Sequence, residues 1–214
     1  MIKNNSNLSN NFNKKIVSFI MNEEINIKDI NILEFGVREG RSTKMFLDLC
    51  KKNKGKLISI DVDDYSNLFN DQNWTFIKTR DDDYKKVSSY FLNDFDIILI
   101  DSFHEPDHVL KLIYTYWKHL KINGSMYIDD ISWLPYMKGK WRDHRYTENI
   151  NRNTFYKILE MHNSNYANID LTFNFNDSGM CKLIKQNSEN LQDPIDIKPR
   201  GFAIKSKIKK LLRF

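Results

Sequence analysis

Five acids and one histidine stand where short apolar runs stop. They are Glu34 in "ILEFGVREGRST", Asp61 in "LISIDVDD", Asp101 and His104 in "ILIDSFHEPDHV", and Asp129 and Asp130 in "MYIDDI". A carboxylate at such a place can accept hydroxyl protons or help to hold a cation. An imidazole, with an ordinary pKa of about 6.5, can take a proton near neutral pH. A plainer role is also open to each of them. Aspartates before loops cap helices or start turns, and Asp101 can cap a helix that begins near Pro106.

The elements that must position these residues follow from the hydrophobic pattern. Leu8, Phe12, Ile16, Phe19 and Ile20 share one helical face over residues 8–22. "INILEFGV" (30–37) reads as a strand. Gly36 and Gly40 make a turn, and Ser42 or Thr43 can cap the helix "STKMFLDLCKK". "GKLISIDVDD" is a second strand ending at Asp61, and "WTFIKT" (74–79) is a third. A helix, "DYKKVSSYFL", follows it. "FDIILID" (95–101) is a fourth strand. Pro106 suits the first turn of the next helix, whose buried stripe is Val109, Leu110, Ile113, Trp117 and Leu120. "GSMYIDDI" (124–131) is a fifth strand. Residues 132–150 read as a long loop, "NTFYKILEMH" as a helix, and "IDLTFNF-NDSG-MCKLIKQ" as a hairpin.

Strands alternating with helices and closing on a hairpin predict an α/β, doubly wound, mostly parallel sheet. In such sheets ligands sit outside the carboxyl ends of the strands. Glu34, Asp61, Asp101, Asp129 and Asp130 are then delivered to one edge by four different strands.

"EFGVREGRST" is a strand, a glycine turn and a helix start. Gly36 permits a backbone shape that a Cβ hinders, and Gly40 permits close approach of a ligand. A dinucleotide fingerprint needs three glycines, and only two stand here. The spacing E-x-G-x-x-x-G resembles the first motif of class I S-adenosylmethionine-dependent methyltransferases. "IDSFHEPDHV…LKINGSMYIDD" resembles D-G-x-H-x-Y-x-x-V…L-x-x-G-G-x-x-x-x-D-D. That pattern marks a subgroup including macrocin- and mycinamicin-type sugar O-methyltransferases, which use a divalent metal, usually magnesium. The likeness covers roughly residues 30–185. Ser102 replaces the pattern's glycine, Pro106 stands where an aromatic is common, and Asn123 replaces the first of two glycines.

The resemblance implies a seven-stranded Rossmann-like methyltransferase sheet with a C-terminal antiparallel hairpin. It implies S-adenosylmethionine held by Glu34, Gly36, Gly40, Ser42, Thr43, Asp61 and Asp101, with Asp61 on the ribose. "TRDDDY" departs from the family's usual segment, and an adenine-edge role falls to Asp81 or Asp82. Asp101, Asp129 and Asp130 are the expected magnesium ligands. Asp101 and His104 are the expected catalytic pair, with His104 taking the proton of an acceptor hydroxyl on a sugar, glycan precursor or other small molecule. His108, His119 and His162 read as surface or packing residues. The competing readings are a non-catalytic binding or scaffold protein on the same fold, and a nicotinamide-dependent oxidoreductase. The latter wants the third glycine and a recognisable catalytic pair.

The loop "ISWLPYMKGKWRDHRYTENINR" offers Trp133, Tyr136, Trp141, Arg142, His144 and Arg145 for stacking on an acceptor or gripping an anion. The same residues can instead cover the sheet edge or form an oligomer contact. Three segments are expected: an N-terminal helical segment (1–29), the methyltransferase domain (30–187) and a basic amphipathic tail (188–214). In the tail Ile204, Ile208, Leu211 and Leu212 share a face, suited to an anionic membrane surface or a neighbouring subunit.

The chain has 214 residues, 41% hydrophobic and 29% charged, a composition of folded globular proteins. Seven of its 33 basic residues fall in 198–214 without an acid, so the remaining 26 face 28 acids. The sequence pI near 9.0 therefore belongs to the tail and gives no argument for nucleic-acid binding. No apolar run reaches the ~18–20 residues that cross a bilayer. Two cysteines, Cys50 and Cys181, are too few for a disulfide framework, and a cytoplasmic location is expected, peripheral to the inner face of a membrane if the tail binds there.

Overall fold

The computed structural model describes residues 19–20, 27–134, 145–176 and 178–197. In chain order the elements are β1 (Asn31–Phe35), α1 (Arg41–Asn53), β2 (Lys56–Asp61), β3 (Trp74–Lys78) and α2 (Tyr84–Ser88). There follow β4 (Phe95–Ile100), α3 (Pro106–Tyr116), β5 (Leu120–Asp129), α4 (Arg145–Ser164), β6 (Ile169–Asn174) and β7 (Met180–Lys185). The strands form one seven-stranded sheet in the order β3-β2-β1-β4-β5-β7-β6. The first five pair in parallel, and β7 runs antiparallel to both β5 and β6. The expected doubly wound sheet and closing hairpin are both present.

Strand alternation divides the core between the two faces. Leu33, Phe35, Ile98, Ile100, Met126 and Ile128 pack with Val109, Leu112, Ile113 and Tyr116 of α3 and with Ile158 and Met161 of α4. Ile32, Leu57, Ile97, Leu99 and Tyr127 pack with Phe46, Leu47, Leu49 and Cys50 of α1. Ile20 is buried in this second layer, and Phe19 meets the Tyr127 ring edge-on at 6.0 Å. The rest of the helix expected over 8–22 lies outside the described residues, as does the basic tail from 198 onward. In residues 188–197, which are mostly exposed, Leu191 packs against the first core layer. Gln192 accepts hydrogen bonds from Tyr114 Oη (2.6 Å) and Asn165 Nδ2 (3.0 Å).

Five local expectations are corrected. The cap of α1 is Gly40, with φ of 71° and no side-chain bond, so neither Ser42 nor Thr43 caps it. Their hydroxyls are drawn to Glu34 instead. Helix α2 has five residues rather than ten, because the Ser89 hydroxyl donates to Lys86 O and competes with helix continuation. Strand β5 begins at Leu120. Its expected start is Gly124, and its Asn123-Gly124 pair forms an irregularity in the β4–β5 ladder, with Asn123 at φ of 64°. Residues 145–150, expected as loop, are the first turns of α4. Pro106 does open α3, and the cap before it is Glu105, not Asp101.

Candidate functional site

The carboxyl ends of β2, β1, β4 and β5 are neighbours in the sheet, so Asp61, Gly36, Asp101 and Asp130 come to one edge in that order. At the centre the chain reverses through Gly36. Its φ is 95°, and its N–H donates to Ile60 O at 2.9 Å. A Cβ there would stand 2.0 Å from Asp101 O. The space a side chain would fill is thus occupied by the tip of β4. Asp101 N–H donates in turn to Phe35 O at 2.9 Å. At Gly40 a Cβ would meet the Phe69 ring at 3.0 Å and Leu68 at 3.1 Å. Close approach is required at both glycines, and the protein itself makes it.

Asp61 closes the glycine loop from the other side. Its Oδ2 accepts the N–H groups of Val37 (2.8 Å) and Arg38 (3.3 Å), and its Oδ1 accepts that of Asp63 (3.0 Å). The ribose-facing acid expected here is therefore also the anchor of the loop. A carboxylate has about four acceptor sites, so after these three bonds Oδ1 can accept one further donor.

Glu34 is completely buried on the α1 face, because alternation places it beside Ile32 rather than Leu33. Its carboxylate accepts hydroxyls from Ser42 (2.5 Å), Thr43 (2.8 Å) and Ser59 (2.7 Å). Ser59 accepts Trp74 Nε1 at 3.0 Å. Burial pushes the Glu34 carboxyl up to about 7, against the three hydroxyl donors, and Asp61 adds to the rise. Glu34, Ser42 and Thr43, expected to meet the cofactor, are brought together as a buried pin between β1, β2 and α1.

At the ends of β4 and β5 His104 stands between two carboxylates. Its Nε2 lies 3.7 Å from Asp101 Oδ1 and 3.6 Å from Asp130 Oδ2. These are ion-pair separations, longer than hydrogen bonds. The three side chains keep 28%, 24% and 25% exposure, so the group opens to solvent. Asp130 is presented by a left-handed backbone, φ 56°, and its N–H donates to Gly179 O and to Asp129 Oδ1. Asp129 is only 4% exposed. Among the described residues no group of three or more His, Cys, Asp or Glu closes to metal-holding geometry, so Asp101, Asp129 and Asp130 do not form a three-carboxylate cage.

The adenine-edge role expected of Asp81 or Asp82 meets a different geometry. Asp82 is held by Arg80 (2.9 and 3.2 Å) and Lys111 (3.1 Å), and the Arg80 guanidinium keeps its carboxyl far below the usual range. Asp81 is 8% exposed and turns inward to Ser102 and His108. His108 is thus tied to Asp81 and Ser102, where the sequence reads it as a surface or packing residue. His119 stacks on Tyr84, and His162 faces Ile169 O, as packing residues do.

Other neighbours carried no signal in the sequence. Asn151 of α4 donates from Nδ2 to Ser132 O at 2.9 Å, fixing the segment after β5. Tyr146 Oη reaches Glu105 Oε1 at 3.4 Å. Phe103, beside His104, is 59% exposed. Trp133 is packed against Phe155 (4.3 Å), Tyr156 (5.9 Å) and Phe175 (6.1 Å). Tyr136, Trp141, Arg142, His144 and the side chain of Arg145 lie outside the described residues.

Residues 33–131 match the profile of a family described as a methyltransferase domain. No curated protein sequence matches. Among solved structures the chain resembles the MycE methyltransferase of the mycinamycin biosynthetic pathway, solved with Mg, S-adenosylhomocysteine (SAH) and mycinamycin VI. The TM-score is 0.54 at 19% identity, over 78% of this chain and 47% of that one. It also resembles the SAH-bound methyltransferase PaMTH1 of Podospora anserina (TM-score 0.57, 14% identity, 73% and 72% covered). A third likeness is to an O-methyltransferase from Bacillus cereus with SAH (TM-score 0.50, 15% identity, 72% and 74% covered). The chain spans about half the length of the MycE chain. At these identities the structural likenesses speak for the fold, and the family profile covers the strands that carry Glu34, Asp61, Asp101 and Asp129. Over residues 33–131 the chain is therefore similar to a methyltransferase domain, and its seven-stranded sheet is the fold it shares with those solved methyltransferases.

Proposed function

We propose that the protein transfers the methyl group to a hydroxyl oxygen of a sugar or other small glycan-related molecule, with a magnesium ion assisting. The observation that carries this reading is the placement of His104 between Asp101 and Asp130, next to the glycine loop. A hydroxyl is a poor nucleophile until its proton leaves. Nε2 of His104 accepts that proton as the oxygen closes on the methyl carbon in line with the carbon–sulfur bond. The bond breaks toward sulfur, and the sulfonium becomes a neutral thioether. Alignment of the two reactants at contact distance supplies much of the rate.

The donor set suits a hard cation. Asp101 and Asp130 would hold magnesium, which commonly takes one or two protein carboxylates and keeps other positions for water and substrate. When bound there it would lower the pKa of a coordinated hydroxyl. Gly36, Gly40 and Asp61 would line the donor's side. Phe103, Tyr146 and Leu134, all exposed, offer apolar surface for the acceptor.

Calorimetry with S-adenosylmethionine and with SAH tests the donor, and release of SAH from a panel of sugar acceptors tests the transfer. His104→Gln should lower turnover by roughly 10²- to 10⁴-fold while leaving SAH affinity intact. Full turnover in that variant would refute the assignment of the base. Donor binding without turnover on any acceptor would favour a binding or scaffold role.

A further inference from the structure

Segment 101–105 joins β4 to α3 without regular structure, yet it carries both Asp101 and His104. Catalytic placement to a fraction of an ångström needs something to hold it. Its first residue is held by backbone, through Asp101 N–H on Phe35 O. The next residue, Ser102, donates its hydroxyl to Asp81 Oδ2 at 2.5 Å. His108, on the first turn of α3, places Nε2 2.9 Å from each oxygen of the same carboxylate. The Asp81 backbone is itself fixed, since Tyr116 Oη donates to Asp81 O at 2.6 Å within the core. Asp81 and His108 are almost wholly enclosed, with side-chain exposures of 10% and 11%, and the Phe103 ring lies edge-on to His108 at 5.4 Å.

We infer that Asp81, Ser102 and His108 form a buried clamp that sets the position of His104 for proton transfer. The clamp grips the reacting segment at both ends, at Ser102 before His104 and at His108 after it. The inference rests on the proposed reading of His104 as the base. Asp81 is a positioning residue, acting through Ser102 and His108. The hydrogen bonds are to a charged acceptor in a nearly dry place, where they are stronger than neutral ones. The His108 bond is made by the tautomer carrying hydrogen on Nε2 as well as by the imidazolium, so the clamp requires no particular charge on that ring.

The test measures amide hydrogen exchange over the peptide spanning 101–108, together with calorimetry of SAH and turnover on any acceptor found active. His108→Leu and Ser102→Ala each remove a donor. Exchange over 101–105 should rise by about tenfold or more, from the strength of a hydrogen bond to a charged group. Turnover should fall in parallel, with SAH affinity within about twofold of the parent. His108→Gln, whose amide can reach the Nε2 position, should restore slow exchange and most of the turnover. Unchanged exchange in Ser102→Ala and His108→Leu would overturn the clamp. A tenfold loss of SAH affinity with unchanged exchange would overturn it too, and make Asp81 part of the donor subsite. Should His108→Leu fail to fold, Ser102→Ala, which removes only a hydroxyl, decides alone. Full turnover in His104→Gln would refute the base while leaving the exchange result standing, so the two failures are distinguishable.

Discussion

Replacing Glu34 by Gln isolates a buried charge whose cost depends on pH. The Glu34 carboxyl titrates at about 7 in the folded protein against an ordinary 4.5, because burial outweighs the hydroxyls of Ser42, Ser59 and Thr43. Between these two values the folded protein binds more protons than the unfolded chain. Stability must therefore fall as pH rises from about 4.5 to about 7 and level off above. The separation corresponds to roughly 3 kcal/mol, most of which is lost between pH 5 and pH 8. Gln keeps the shape and cannot ionise, so this slope disappears. Its loss of hydrogen bonds to a charged acceptor is a constant offset above pH 7 and leaves the slope untouched. Urea unfolding of both proteins at half-unit steps from pH 5 to 8 gives the difference directly, with other titrating groups cancelling. The parent should lose roughly 2 to 3 kcal/mol relative to Glu34→Gln across that range. A difference constant to within ~0.5 kcal/mol would refute the reasoning, since it would mean that Glu34 is ionised and solvated throughout.

Gly36→Ala should destabilise by ~2 kcal/mol or more and weaken SAH binding at least tenfold, because its Cβ would stand 2.0 Å from Asp101 O at a backbone φ of 95°; urea unfolding and calorimetry read both. Asp61→Ala strips Val37 and Arg38 of their acceptor, and ~1–3 kcal/mol of stability should go with much of the SAH affinity. Asp130→Asn should abolish the response of turnover to added magnesium while SAH still binds, and unchanged turnover in the presence of a chelator would count against the ion.

The sheet was readable because β1, β2 and β4 are short, nearly continuous apolar runs, and because their polar ends fall in register across a parallel sheet. The same regularity brought Asp61, Asp101 and Asp130 to one edge. What escaped depends on contacts between distant residues. Glu34 looks like an exposed strand-end acid until Ser59, 25 residues away, and the hydroxyls of α1 enclose it. His108 and Asp81 are 27 residues apart and share no periodicity. The start of α4 was hidden because its buried stripe begins with Asn151 and Thr154, polar residues that an apolar template skips. Asn123-Gly124 carries the composition of a turn, and only pairing with β4 makes it an irregular stretch of strand.

The two halves of the site are joined by backbone more than by side chains. Gly36 leaves space that the Asp101 carbonyl enters, and Asp101 N–H returns to Phe35 O. Asp61 holds the N–H groups that follow Gly36. From Asp61 to Asp101 is two strand spacings, about 10 Å, and from Asp101 to Asp130 one more, about 5 Å. On the proposed reading, a donor anchored at Asp61 would span β2, β1 and β4, and the acceptor hydroxyl would lie above β4 and β5, where His104 stands. The separation of the strand ends that carry Asp61 and Asp101 is set by the sheet's own pitch. What remains adjustable is the short segment 101–105, and Ser102, standing where the related pattern has glycine, supplies the hydroxyl that ties this segment to Asp81.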